Sequence, residues 1–116
     1  MTFVAFDIAD LRGSARRASA LLKAMANERR LLILCCLAMG EQSVGSLEKQ
    51  VGLSQSALSQ HLARLRRDKL VTTRRAAQTI YYELASDEVG AVMAALHAIY
   101  CAPPGTAKPA RKKPAA

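Results

Sequence analysis

Residues 52–67 read Gly-Leu-Ser-Gln-Ser-Ala-Leu-Ser-Gln-His-Leu-Ala-Arg-Leu-Arg-Arg. A glycine suited to a left-handed turn and a serine suited to a helix cap precede a run in which Leu58, Leu62 and Leu65 recur at i, i+4 and i+7. That spacing puts the three leucines on one side of a helix. At about 100° per residue, Ser56, Gln60 and Arg67 lie almost opposite, with Ser59, Ala63 and Arg64 on the flanks. The segment therefore specifies a helix that docks through leucines and turns small polar and basic side chains outward. An ordinary amphipathic surface helix has the same division, so the helix alone does not separate packing from recognition. Its surroundings do.

Just upstream, Ser43 opens a short helix in which Val44, Leu47 and Val51 face inward, and Gly52 ends it. Ser54 then caps the leucine-faced helix. Two short helices joined by Gly-Leu-Ser have helix-turn-helix spacing. Just downstream the period changes. Leu70–Arg75 and Thr79–Leu84 are rich in strand formers and are separated by Ala76, Ala77 and Gln78, which predicts a β-hairpin. A basic hairpin directly after such a helix is placed as a wing, within reach of phosphate or a minor groove.

The flanking segments are helical. From Ser14 to Ala26, Ala18, Leu21, Leu22, Met25 and Ala26 form an apolar stripe. Asn27 is a natural N-cap, with Glu28 in the first turn of a second helix running from Arg29 to Ala38. That helix is apolar around most of its circumference, as expected of a central one, and Gly40 stops it. Ser86 caps a last helix with Asp87 and Glu88 in its first turn and a stripe of Val89, Val92, Met93, Leu96 and Tyr100. The expected fold is mainly α: a winged helix-turn-helix of five helices and a two-stranded wing. It divides into an N-terminal extension (1–13), one folded domain (14–101) and a basic tail (102–116). The tail has four prolines and no apolar periodicity, which predicts disorder.

Charge is concentrated rather than spread. Of a formal net +8 over 116 residues, six basic side chains against one acid fall between Arg64 and Arg75, and Lys108, Arg111, Lys112 and Lys113 lie in the tail. Positive charge gathered beside an outward polar helix is the footprint of a phosphate-backbone ligand. A membrane surface fits worse, because no long helix pairs Lys/Arg with Trp/Phe. The first ten residues lack a basic n-region and contain Asp7 and Asp10, unlike a signal peptide. A cytoplasmic location is expected. Enzyme chemistry is not: no glycine-rich phosphate loop, paired carboxylates or Ser/His/Asp arrangement occurs.

Taken together, Met25–Leu34, Ser43–Leu47, Leu53–Leu62 and Thr79–Leu84, in this order and spacing, resemble the ArsR/SmtB family of small winged-helix repressors. The resemblance covers residues 14 to 101. It implies a homodimer joined mainly through the first and last helices, reading a palindromic double-stranded DNA operator. On that reading Ser56, Ser59, Gln60 and Arg64 are the base or near-base contacts, since Gln pairs bidentately with adenine and Arg with guanine. Ser54 and Gln55 open the same helix and join the DNA-binding set. Arg67, Arg74, Arg75 and Gln78 are placed for phosphate. His61 lies toward the leucine side and reads as a packing or capping residue within reach of phosphate.

Many members of that family sense metals, and this chain departs from their patterns. Where thiolate sensors carry Cys-Val-Cys, it has Ser43-Val44-Gly45. Where sensors of the last helix begin Asp-x-His, it has Asp87-Glu88-Val89, with only His97 downstream. Neither ligand set is present, and no metal or other cofactor is expected. Cys35 and Cys101 instead stand at the positions of the cysteine pair in the family's thiol-switch branch, which responds to reactive sulfur species or oxidants. Apart from that resemblance, Cys35 and Cys36 read as small buried hydrophobes, and His97, one turn before Cys101, as a surface histidine. Two rival functions stand beside the thiol-switch repressor: a metal-responsive repressor of the same family, and an anti-silencing DNA-binding factor without a sensing role.

Overall fold

The computed structural model describes residues 7–101; the expected disordered tail lies outside them. Eight elements follow in chain order: α1 (Ile8–Met25), α2 (Glu28–Ala38), β1 (Gln42–Ser43), α3 (Val44–Val51), α4 (Gln55–Arg67), β2 (Val71–Ala76), β3 (Thr79–Leu84) and α5 (Asp87–Tyr100). The architecture is the expected five-helix winged helix-turn-helix, with one strand more than foreseen. β1 adds to the hairpin, giving a three-stranded antiparallel sheet in the order β1-β3-β2. Gln42 pairs with Tyr82 and Ser43 with Tyr81. A two-residue strand carries no periodicity, which is why the sequence pattern passes over it.

Side-chain caps set most helix starts. Asn27 Oδ1 accepts from the N–H groups of Arg29 and Arg30, Ser43 Oγ from Ser46, Ser54 Oγ from Ala57 and Ser86 Oγ from Val89. Each satisfies donors that a helix N-terminus leaves without partners. The same physics corrects the start of α1. The helix begins at Ile8, inside the stretch assigned to the extension, because the Asp7 carboxylate accepts from Ala9 N–H at 2.9 Å. The turn between α3 and α4 depends on Gly52, whose φ of 75° lies in the left-handed region that side chains disfavour.

Two residues other than glycine also occupy that region. Lys69, at φ 65°, follows α4, where Leu70 N–H reaches Leu65 O and Lys69 N–H reaches Arg66 O. This Schellman closure ends the helix and turns Leu70 and Val71 into the core. Ala77, at φ 58°, forms the hairpin turn between Ala76 and Thr79, which pair across the ladder. An alanine there carries about 1 kcal/mol of strain.

The core is gathered around α2. Ile33, Leu34, Leu47, Leu58, Leu65, Val71 and Val89 are fully buried, drawn from five elements. Burying one such aliphatic side chain contributes about 1.5–3 kcal/mol. Arg30 is buried with them. Its Nε–H donates to Ala24 O at 2.7 Å, giving a partner to a carbonyl at the end of α1. Burial lowers its pKa, the charge of Arg64 lowers it further, and Asp68 opposes both.

One expected stripe turns outward along most of its length and a second only at its end: Val92 and Leu96 of α5 still pack against the core. In α1 only Ala24 and Met25 are buried, Leu21 is half-buried, and Ala18, Leu22 and Ala26 are exposed. In α5 Val89 and Met93 are buried, whereas Tyr100 is 77 % exposed. Only the C-terminal end of α1 reaches the core, and among the described residues nothing covers the last turn of α5. Among the described residues no helix is long and apolar enough to cross a membrane.

Candidate nucleic-acid interface

α4 presents what its sequence predicts. Leu58, Leu62 and Leu65 are buried, and Gln55, Ser56, Ser59, Gln60, Ala63, Arg66 and Arg67 are exposed. Ser54 is also exposed, with its hydroxyl engaged as the cap. His61 is half-buried, on the leucine side. Gln78 and Arg75 are exposed at and near the tip of the wing. Helix face and wing together offer amide, hydroxyl and guanidinium groups suited to base edges and phosphates.

The arginines are not equivalent. Arg64 is half-buried and its Nε–H donates to Asp68 at 2.8 Å, while Arg67 sits more loosely at 3.6 Å from the same carboxylate. The Arg64 hydrogen bond holds the Asp68 carboxyl below the usual carboxylate range, against the opposing effect of burial. Arg74 is gripped more fully. Its Nε–H and Nη–H groups donate to the two oxygens of Glu41 at 2.7 and 2.8 Å, and its guanidinium lies 4.7 Å from the centre of the Tyr81 ring. The Arg74 hydrogen bond pulls the Glu41 pKa down, and that of Arg74 rises in return. The expected roles of Arg64 at bases and Arg74 at phosphate take no account of these acidic partners. The Arg64–Asp68 pair was readable from its i, i+4 spacing. The Arg74–Glu41 pair spans 33 positions and had no local signal.

The cysteines lie elsewhere. All three are free thiols: Cys35 and Cys36 are half-buried on α2, and Cys101 is exposed just beyond α5. Burial raises the pKa of Cys36, and its neighbour Cys35 raises it further. That thiol is therefore a poor source of thiolate. Gln42 binds the same turn, its Nε2–H donating to Cys36 O at 3.2 Å.

Comparison with known proteins agrees with this layout. Residues 27–73 match the model of the bacterial regulatory protein, arsR family. The chain is 56% identical to the transcriptional activator HlyU of Vibrio cholerae over 82% of its own length and 88% of that protein. A structure of reduced HlyU from Vibrio cholerae aligns with a TM-score of 0.76 at 57% identity, covering 80% of this chain and 98% of that one. The transcriptional repressor BigR of Xylella fastidiosa aligns at 0.80 with 38% identity, covering 84% and 100%. The homodimeric winged helix-turn-helix domain of Mb0332 from Mycobacterium bovis aligns at 0.65 with 31% identity, covering 84% and 87%. Fold, exposed polar helix and these relatives converge: the chain belongs to the arsR family of winged helix-turn-helix transcriptional regulators.

Proposed function

We propose that this chain is a sequence-specific repressor that binds a palindromic DNA operator as a homodimer, with its affinity set by the Cys35–Cys101 thiol pair. The observation that carries the DNA half is the split surface of α4, whose leucines are all buried while Ser56, Ser59 and Gln60 face outward. The homodimer draws on Leu11 and Leu22 of α1 and on Ile99 and Tyr100 of α5, large apolar side chains left in solvent by a single chain. A homodimeric relative and a repressor relative of the same fold support both points.

The thiol half draws on contrast within the cysteines. Cys101 is exposed, Cys35 is half-buried on the helix that packs against α5, and burial raises the pKa of Cys36. A relative solved in a reduced form, HlyU, supports redox as the relevant variable. Joining Cys35 to Cys101 removes two protons and two electrons. Hydrogen peroxide accepting them becomes two waters, and a persulfide accepting them becomes a thiol and hydrogen sulfide. The link ties α2 to the end of α5 and shifts the angle between protomers. Two recognition helices must meet half-sites about 34 Å apart, so a displacement of a few ångströms lowers affinity.

Gel-shift on the duplex upstream of the chain's own gene tests this, with the protein reduced and then treated separately with persulfide, peroxide and disulfide. Reduced protein binds and at least one treatment releases it. A Cys36→Ser variant that loses the response while Cys35→Ser keeps it overturns the thiol assignment.

A further inference from the structure

A cleft of about 470 Å³ opens between the second half of α4 and the sheet, lined by Ser59, Ala63, Arg66 and Arg67 of the helix and Tyr82 of β3. We propose that this cleft seats a backbone phosphate of bound duplex DNA, with Arg66 and Tyr82 as its principal contacts. The inference rests on the reading of α4 as the DNA-reading helix and adds two contacts that neither the helix pattern nor the wing pattern singles out.

The lining is chemically one-sided. Its residues are two arginines, a serine, a tyrosine and Ala63, with no acidic residue among them. Charge-assisted hydrogen bonds from arginine to an oxyanion are the strong polar contacts available to such a set. Arg66 is the available charge. Arg64 and Arg67 bracket Asp68, and Arg74 is bound to Glu41, whereas Arg66 has no acidic partner among the described residues. Tyr82 cannot drift from the site. It is half-buried against the core and held in the central strand, opposite Gln42 on one side and Thr73 on the other.

Position identifies the occupant. Ser59, Ala63 and Arg66 recur at i, i+4 and i+7, so they form one flank of α4 beside the outward face of Ser56 and Gln60. A helix with its side chains is about 10–12 Å across and a major groove about 12 Å wide, so phosphate walls stand directly beside both flanks of an inserted helix. On this flank the wall enters the gap between α4 and β3. Ser59 belongs to the cleft and to the reading face alike, making the two surfaces continuous.

The test is fluorescence anisotropy on the upstream duplex and on an unrelated duplex across a salt series, with melting curves to confirm folding. Arg66→Gln lowers affinity for both duplexes by a similar factor, about tenfold, and reduces the slope of log affinity against log salt by about one. Tyr82→Phe lowers both affinities about threefold and leaves the slope in place. Ala63→Met, which fills the cleft without changing charge, reproduces the Arg66→Gln loss. Arg66→Gln with an unchanged slope overturns the phosphate seat while the reading of α4 stands. Stabilisation of the wild type by inorganic phosphate at constant ionic strength, absent in Arg66→Gln and without a change in DNA slope, assigns the cleft to a free anion and also overturns it. Failure of the wild type to bind either duplex overturns both readings together.

Discussion

α4 and α5 are helices of nearly equal length with opposite finishes. α4 completes its packing inside the chain: all three leucines are buried, and apart from Ala63 the exposed side chains carry amide, hydroxyl and guanidinium groups. α5 buries Val89 and Met93 and then runs on with Ile99 at 58 % and Tyr100 at 77 % exposure. α1 behaves like α5, with an open apolar groove lined by Leu11, Ala15, Ala18 and Leu22. A finished helix with polar groups outward is suited to a hydrated, charged ligand. An unfinished apolar helix gains by removing its surface from water, which a protein partner provides. Under the proposed function, one small chain separates DNA binding and self-association onto different helices.

Three substitutions break or sharpen that contrast. The largest effect is on the finished helix: Leu58→Ala empties a site with no solvent exposure and costs about 3 kcal/mol of stability. Urea unfolding reads it as a lower midpoint with an unchanged slope. A cost below about 1 kcal/mol would mean that α4 is not docked as described. Next comes the unfinished helix. Ile99→Asp leaves the protomer's helical signal intact and weakens self-association by about 2 kcal/mol, near thirtyfold in the dissociation constant. Sedimentation across a concentration series measures it, and an unmoved monomer–dimer equilibrium removes α5 from the interface.

The smallest effect is on the wing. Glu41→Gln releases Arg74, and the salt slope of DNA binding steepens by about one while self-association keeps its salt dependence. The parent pair also has a pH signature. The Glu41 pKa is depressed in the folded chain, so the ion pair is intact above the ordinary glutamate range and is lost as pH falls through the lowered value. At neutral pH the wing is therefore strapped to the α2–β1 turn. A Glu41→Gln protein with the parent's salt slope would place Arg74 away from DNA altogether.

What could be read in advance divides along the same line. Asn27, Ser43, Ser54 and Ser86 act within three residues of themselves, and all four cap as expected. The hairpin followed from its strand formers, and β3 runs over the expected Thr79–Leu84. The outward face of α4 followed from leucine spacing alone. The α1 stripe misled because periodicity reports that a face is apolar and is silent on whether the covering surface lies in the same chain. The grip of Glu41 on Arg74 and the meeting of Arg66 with Tyr82 in one cleft were invisible for a related reason. Each joins residues distant in sequence, and no local rule sets their approach.

Sequence by itself determined the helices, their caps, the hairpin and the polar face of α4, because each depends on interactions within a turn or two of chain. Only the tertiary structure decided which arginines are already neutralised, which thiol is suppressed by burial and which apolar faces stay uncovered. Those outcomes depend on charge, desolvation and packing between elements, and they have no counterpart in an unfolded string of residues.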